Sequence, residues 1–201
     1  MKLRWAPGSP FVRKVTVTAI EAGLDDRIER MMTDYHKPDS DIIDQNPLGK
    51  VPAMILDDGD ILIDSSVICA YLDSLHDRHK MIPVNPEFRF KVLSLEALAD
   101  GMTESAINVQ RERGRPAEGQ SDAIRDKQWG KFERAMDWIN ANPRVLEGPL
   151  NIGHIAIATG IGWVEFRMGD ILGDWKSRWT MLGAWYDQVS KRPSFQATVP
   201  K

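Results

Sequence analysis

The sequence has a single cysteine, Cys69, among its 201 residues. That excludes an intramolecular disulfide and any metal cluster built from several thiolates. No run approaches the ~18 to 20 apolar residues of a membrane helix. The opening Met1-Lys2-Leu3-Arg4-Trp5 lacks the apolar stretch of a secretory signal. There is no excess of basic charge either: 26 Lys and Arg face 29 Asp and Glu, a formal net charge of -3. No broad positive field therefore invites nucleic acid, and the local run Arg111-Glu112-Arg113-Gly114-Arg115 contains an acid and reads as a solvated helix end. Repeats, low-complexity tracts, paired carboxylates and a glycine-rich phosphate loop are all missing. Of the histidines His36, His76, His79 and His154, just His76 and His79 are close in sequence. Two solvated helix-end residues are a simpler reading of that pair than a metal site, and no metal is expected. These absences favour a cytoplasmic chain without a membrane or nucleic-acid partner.

What is present is ample material for a core, with 42% hydrophobic residues in a length that suits one large domain or two small ones. Lys2 to Ala6 is a short strand candidate ending at Pro7-Gly8. A helix follows from Pro10, whose missing N–H costs nothing in a first turn, to about Ala22. Its apolar positions Val12, Val15, Thr16, Ala19 and Ile20 are expected on one face. Ile28 to Met32 is a second strand, and residues 33 to 47 are polar and turn-rich, with Pro38 and Pro47. Ala53 to Leu56 and Ile61 to Ile63 flank Asp57-Asp58-Gly59-Asp60, a hairpin signal. Asp64-Ser65-Ser66 supplies good caps for a helix reaching about His76. The first two strands, joined by a crossover helix, should pair parallel and the hairpin antiparallel. After a charged, proline-punctuated stretch every strong periodicity is helical: Glu87 to Arg113, Ser121 to Asn140, an apolar Asn151 to Arg167, and Trp175 to Lys191. Gly160-Ile161-Gly162 reads as close helix packing. Mixed first half, helical second half: the pattern predicts two packed domains.

Three places could carry chemistry. Ser9 lies between the first strand and the first helix. It could be simply the helix N-cap; alternatively its hydroxyl could donate to a thiolate at the helix N-terminus and lower that thiol's pKa. Val51-Pro52 opens the hairpin, where a proline need not donate to the ladder. Most such bonds are trans, whereas a cis bond would expose the Val51 backbone to an extended peptide ligand. Asp64-Ser65 could cap the next helix, or hold the amino and carboxylate groups of an amino-acid-like ligand, with Lys50 as a solvated charge or a partner for a carboxylate.

Four segments, in order, resemble the soluble glutathione transferases, in particular bacterial members with an active-site serine. Ser9-Pro10-Phe11-Val12-Arg13-Lys14-Val15 is similar to the start of that family's first helix. Asn46-Pro47-Leu48-Gly49-Lys50-Val51-Pro52-Ala53 is similar to its cis-proline loop. Asp64-Ser65-Ser66-Val67-Ile68 is similar to its acid-serine motif, and Gly148-Pro149-Leu150-Asn151-Ile152-Gly153-His154-Ile155-Ala156 to the opening of its buried helix. The resemblance covers essentially the whole chain. It implies a thioredoxin-like α/β domain with a mixed four-stranded sheet over residues 1–77, a linker over 78–86 and an all-helical bundle domain over 87–201. It implies glutathione as co-substrate, no metal, and conjugation of its thiolate to small hydrophobic electrophiles, a detoxification activity. Ser9 would activate the thiol. Val51, just before a cis Pro52, would pair with the cysteinyl backbone, Lys50 would lie near the glycine carboxylate or stabilise the loop, and Asp64 with Ser65 would hold the γ-glutamyl group. Phe11, Met102, Glu104 and Ile107 would line the electrophile pocket, and the protein would be a homodimer. Where the family commonly has serine or threonine followed three residues later by aspartate, this chain has Asn151 and His154, which bears on local stability. A binding or regulatory protein on the same fold is one alternative. A glutathione-dependent thiol oxidoreductase is another, opposed by the lack of a cysteine at position 9.

Overall fold

The structure is a computed structural model that describes residues 1–34, 37 and 40–200; His36 and Pro38, noted above, lie outside the described residues. The chain begins with strand β1 (Lys2–Trp5), helix α1 (Pro10–Ala22) and strand β2 (Glu29–Met32), and continues with β3 (Ala53–Ile55), β4 (Ile61–Leu62) and α2 (Ser65–Ser74). The sheet order is β2-β1-β3-β4. β1 and β2 are parallel with Leu3 opposite Arg30, and β1 and β3 antiparallel with Leu3 opposite Met54. β3 and β4 form the expected hairpin, with Met54 opposite Leu62. This is a thioredoxin-like half with a four-stranded mixed sheet. The second half is helical: α3 (Pro86–Arg113), α4 (Asp122–Ala141), α5 (Ile152–Leu172), α6 (Trp175–Arg178), α7 (Thr180–Val189) and α8 (Pro193–Gln196).

The two halves share one apolar core, in which Leu3, Val15 and Met54 join Ala99, Phe132 and Ile157. At its centre α1 packs against both α2 and α5. One apolar face was expected for α1, but all six residues from Lys14 to Ala19 are buried. The reason is the sandwich: a helix covered on two sides has no solvent face, and its polar residues must find partners inside. Thr16 and Thr18 do so by donating to the carbonyls of Val12 and Lys14. The Gly160 expectation also holds. A Cβ there would come within 2.2 Å of Thr103 Oγ1, so glycine lets α5 lie directly on α3.

One expectation needs correction, and the stretch from residue 78 to 86 has anchored backbone. Asp73, buried at the end of α2, accepts from the backbone N–H groups of Met81 (2.8 Å) and Ile82 (3.1 Å), and both residues are buried. The helix expected from Trp175 to Lys191 is broken at Trp179, where φ is -116° and ψ is 69°. Tertiary bonds override local propensity there. The Trp179 indole donates to Asp137 at 2.7 Å, and Asn140 Oδ1 accepts from the N–H groups of Met181 and Leu182, capping the new helix. Further on, Glu21 of α1 accepts from Arg192 (2.9 and 2.7 Å) and from the Ser194 hydroxyl (2.5 Å). Arg13 donates to Thr198 Oγ1 and the Phe195 carbonyl, each at 3.3 Å.

Candidate active site

A cleft between the halves holds two adjoining cavities. The inner one, about 440 Å³, is lined by Phe11, Asn46, Lys50, Val51, Pro52, Ile63, Asp64, Ser65, Asp100 and Glu104 among others. The outer one, about 530 Å³, is lined by Gly8, Ser9, Pro10, Phe11, Lys50, Val51, Glu104, Ile107, Arg111, Trp163 and Arg167 among others. Ser9, Lys50, Val51, Pro52, Asp64, Ser65, Phe11, Glu104 and Ile107 are thus brought together. Met102 is not. It is buried in the core beside Gly160, because on α3 it stands about 200° around from Glu104 at 100° per residue, whereas Ile107 shares the face of Glu104. A larger cavity of about 1170 Å³ lies elsewhere, between the start of α3 and the loop before α5. Its wall is mainly apolar and contains none of Ser9, Val51 and Asp64.

The N-cap reading of Ser9 is realised in its geometry, and its place in the cleft is compatible with the thiol reading. Its Oγ accepts from the Val12 N–H at 3.3 Å, as an N-cap does, and it borders the outer cavity. A hydroxyl that accepts through a lone pair keeps its proton free. No acceptor takes that proton among the described residues, so it can be donated into the cleft.

The loop before β3 is shaped by Asn46, which is buried. Its amide donates to the Lys50 carbonyl at 2.7 Å and accepts from Leu48 N–H at 3.0 Å. Gly49 turns the chain at φ 62°, a region that residues with a Cβ seldom enter. The Val51-Pro52 bond is cis, and so is Ile63-Asp64. Among the described residues no backbone group pairs with Val51 N–H or C=O. A strand-like residue with free backbone groups facing a cleft is suited to pair with an extended peptide.

Asp64 caps α2. Ser66 N–H (3.0 Å) and the Ser66 hydroxyl both bond its Oδ1, leaving Oδ2 uncommitted. Burial acts to raise this carboxyl, but the Ser66 hydrogen bonds and the positive charge of Lys14 outweigh it, and the group lies below the usual aspartate range. Beside it sits the Ser65 hydroxyl, also without a partner among the described residues.

Behind this end lies a cluster that the sequence did not advertise. Lys14 of α1 is 1% exposed and its Nζ lies 3.0 Å from Glu96 and 2.7 Å from Asp100 on α3. Burial opposes the lysine's charge, but the carboxylates more than offset it, and its pKa is raised. Burial raises Glu96 and Asp100 against the pull of Lys14. One ammonium serves two carboxylates, and Asp100 also borders the inner cavity. Burial pushes the nearby Cys69 thiol up to about 12, which keeps it neutral.

His154 is structural. Asn151 caps α5 by accepting from His154 N–H at 3.1 Å. The ring bonds the Val145 carbonyl at 2.9 Å and meets Trp185 edge-on. Burial lowers its pKa, so a neutral ring stands where a carboxylate was expected, and it is held by packing. Among the described residues no group of three or more His, Cys, Asp or Glu side chains converges as a metal site, and no helix is long and apolar enough to cross a membrane.

A thioredoxin-like half, a helical half and a serine-bordered cleft between them define the class, and comparison with known proteins agrees. Family profiles for the glutathione S-transferase N-terminal domain and C-terminal domain match residues 8–75 and 122–188. The chain is 31% identical to the uncharacterized GST-like protein YibF of Escherichia coli K12, over all of this chain and 98% of that one. It is 33% identical to a glutathione S-transferase from Methylobacillus flagellatus KT solved with glutathione bound, with a TM-score of 0.93 over 100% of this chain and 99% of that one. A glutathione transferase family member from Pseudomonas fluorescens Pf-5, solved with S-(propanoic acid)-glutathione, is 35% identical with a TM-score of 0.91 over the full length of both chains. The chain belongs to the glutathione S-transferase family.

Proposed function

We propose that the protein is a glutathione transferase that joins the glutathione thiolate to small hydrophobic electrophiles. The observation that carries this reading is the convergence, on one cleft, of a serine with a free proton, a residue with an unpaired backbone and a capping carboxylate with an uncommitted oxygen. Relatives that bind glutathione support it. In this reading the Val51 N–H and C=O pair with the cysteinyl backbone. Asp64 Oδ2 takes the γ-glutamyl ammonium, Ser65 and the α2 N-terminus take the α-carboxylate, and Lys50 faces the glycine carboxylate. The Ser9 hydroxyl donates to the thiolate and favours its ionised form. The sulfur then attacks the electrophilic carbon, forming the C–S bond as the leaving group departs with its electron pair. Retention of both Ser9 and the Asp64-Ser65 pair favours an enzyme over a scaffold that only keeps the fold, which needs neither. We also propose a cytoplasmic homodimer, each subunit divided into a glutathione-binding domain over residues 1–77, a linker over 78–86 and an all-helical domain over 87–201.

The test is thiolate absorbance of bound glutathione against pH, alongside conjugation rates on a panel of electrophiles. Lowering a thiol pKa by about one to two units corresponds to roughly 1.4 to 2.7 kcal/mol. Ser9→Ala should therefore raise the apparent pKa of bound glutathione and cut turnover about ten- to a hundredfold at neutral pH, with partial recovery at higher pH. Identical titration curves for the two proteins would assign activation to another group. No conjugation across the panel by a protein that binds glutathione would favour the regulatory reading.

A further inference from the structure

The outer cavity carries a charge pattern that an apolar substrate does not use. Its apolar wall is Phe11, Ile107 and Trp163, but it is also bordered by Lys50, Arg111 and Arg167 against one carboxylate, Glu104. The protein as a whole is net negative, so this excess is local. Glu104 is shared loosely, 3.8 Å from Lys50 and 3.6 Å from Arg111. Arg167 has no carboxylate partner among the described residues; its guanidinium stacks 4.7 Å from the Phe166 ring centroid. It also lies against Gly8, so closely that a Cβ there would come within 2.7 Å of Nη2. Trp163, one turn earlier on α5, donates to the Gly8 carbonyl at 2.9 Å and fixes this approach. A planar, unpaired fork of donors thus stands one residue from the serine of the thiol site.

We propose that the outer cavity selects electrophiles bearing a carboxylate, with Arg167 as the main determinant and Arg111 as the second. This rests on the glutathione-transferase reading and narrows its substrate class. A guanidinium binds a carboxylate through two parallel hydrogen bonds. Such a contact, one residue from Ser9, would hold an acidic electrophile with its reactive carbon near the sulfur. Both arginines are largely exposed, so the preference should be modest and should weaken with salt.

The test compares binding of glutathione, S-(carboxymethyl)glutathione and S-(carbamoylmethyl)glutathione to the full chain by calorimetry, which needs no turnover. The two conjugates have nearly the same shape and differ in charge. The acid should bind about tenfold more tightly than the amide at low ionic strength, and the gap should close with added salt. Arg167→Gln should remove most of that preference and leave unmodified glutathione bound as before; Arg111→Gln should remove a smaller share. Equal binding of the two conjugates by the wild-type chain, with glutathione bound normally, overturns the proposal and leaves the transferase reading intact. So does an Arg167→Gln chain that loses affinity for all three ligands alike, because the arginine then serves glutathione itself. Failure of all three ligands to bind the wild-type chain overturns the transferase reading and this proposal with it.

Discussion

At the inner end of the cleft three carboxylates, Asp64, Asp100 and Glu104, face one lysine, Lys50, whereas the outer end sets Lys50, Arg111 and Arg167 against Glu104. The ends are built differently as well as charged differently. Apart from Phe11 and three α3 residues, the inner end comes from positions 46 to 65, a loop, a hairpin edge and a helix cap. The outer end is gathered from positions 8 to 167. A ligand with an ammonium at one end and an anion at the other can lie along such a cleft favourably in one direction. In the proposed binding mode that polarity would orient glutathione and bring its sulfur beside Ser9.

Breaking the inner end from beneath should have the largest effect. Lys14→Met leaves the buried Glu96 and the half-buried Asp100 without their cation, a loss of up to about 3 to 5 kcal/mol. Burial already raises these carboxyls, so they shed the problem by protonating at low pH; the deficit should grow as pH rises above their unfolded values. Urea unfolding at pH 5 and pH 8 checks this, and a small, pH-independent loss would mean that solvent reaches the cluster. Next comes the ligand-facing side of the same end. Asp64→Ala should raise KM for glutathione about ten- to thirtyfold with little change in kcat, because its contact is equal in ground and transition states, at roughly 1.4 to 2 kcal/mol. An unchanged KM would remove Asp64 from the binding set.

The support of α1 is expected to matter less. Burial pulls the Glu21 carboxyl upward, but hydrogen bonds from Arg192 and Ser194 hold it below the ordinary 4.5. Its contribution is therefore present above the unfolded pKa and lost as pH falls through the folded one. Glu21→Gln should cost about 1 kcal/mol at pH 7, and in thermal melts the gap between wild type and variant should shrink as pH falls below the ordinary glutamate range. A gap that stays constant on acidification would assign the loss to packing instead. The smallest effect is reserved for Cys69→Ala. The thiol is fully buried and neutral, so conjugation should stay within about twofold. Near-total loss in a folded variant would expose a reactive thiol.

The same contrast explains what could be read from residue order. Asn46 to Ala53 and Asp64 to Ile68 are short, contiguous motifs whose chemistry is local: a turn glycine, a proline opening a strand, a helix cap. The inner end was therefore legible, apart from Asp100. Lys14 was passed over although it sits inside the motif beginning at Ser9, because its partners are 82 and 86 positions away. One signal was available: a lysine among six consecutive core positions of α1, and two acids four apart on α3, Glu96 and Asp100. Met102 was misplaced because nearness in sequence to Glu104 is not nearness on a helix. Trp163 and Arg167 left no local trace, since their place at the cavity depends on α5 passing beside Gly8. The broken helix at Trp179 was illegible for a similar reason: Asp137 and Asn140, which cause the break, belong to another element.

The clamp of residues 192–198 on α1 has a consequence for synthesis of the chain. The serine at the head of α1 emerges from the ribosome early, but Glu21 and Arg13 on the same helix stay without Arg192, Ser194, Phe195 and Thr198 until some 180 further residues have been made. During that interval the helix can form and meet the sheet, yet it lacks the contacts that fix its far side. The geometry around Ser9 is thus among the last features of the nascent protein to mature, and a nascent chain stalled before residue 192 would carry the motifs shared with the glutathione S-transferase family without a fully seated α1.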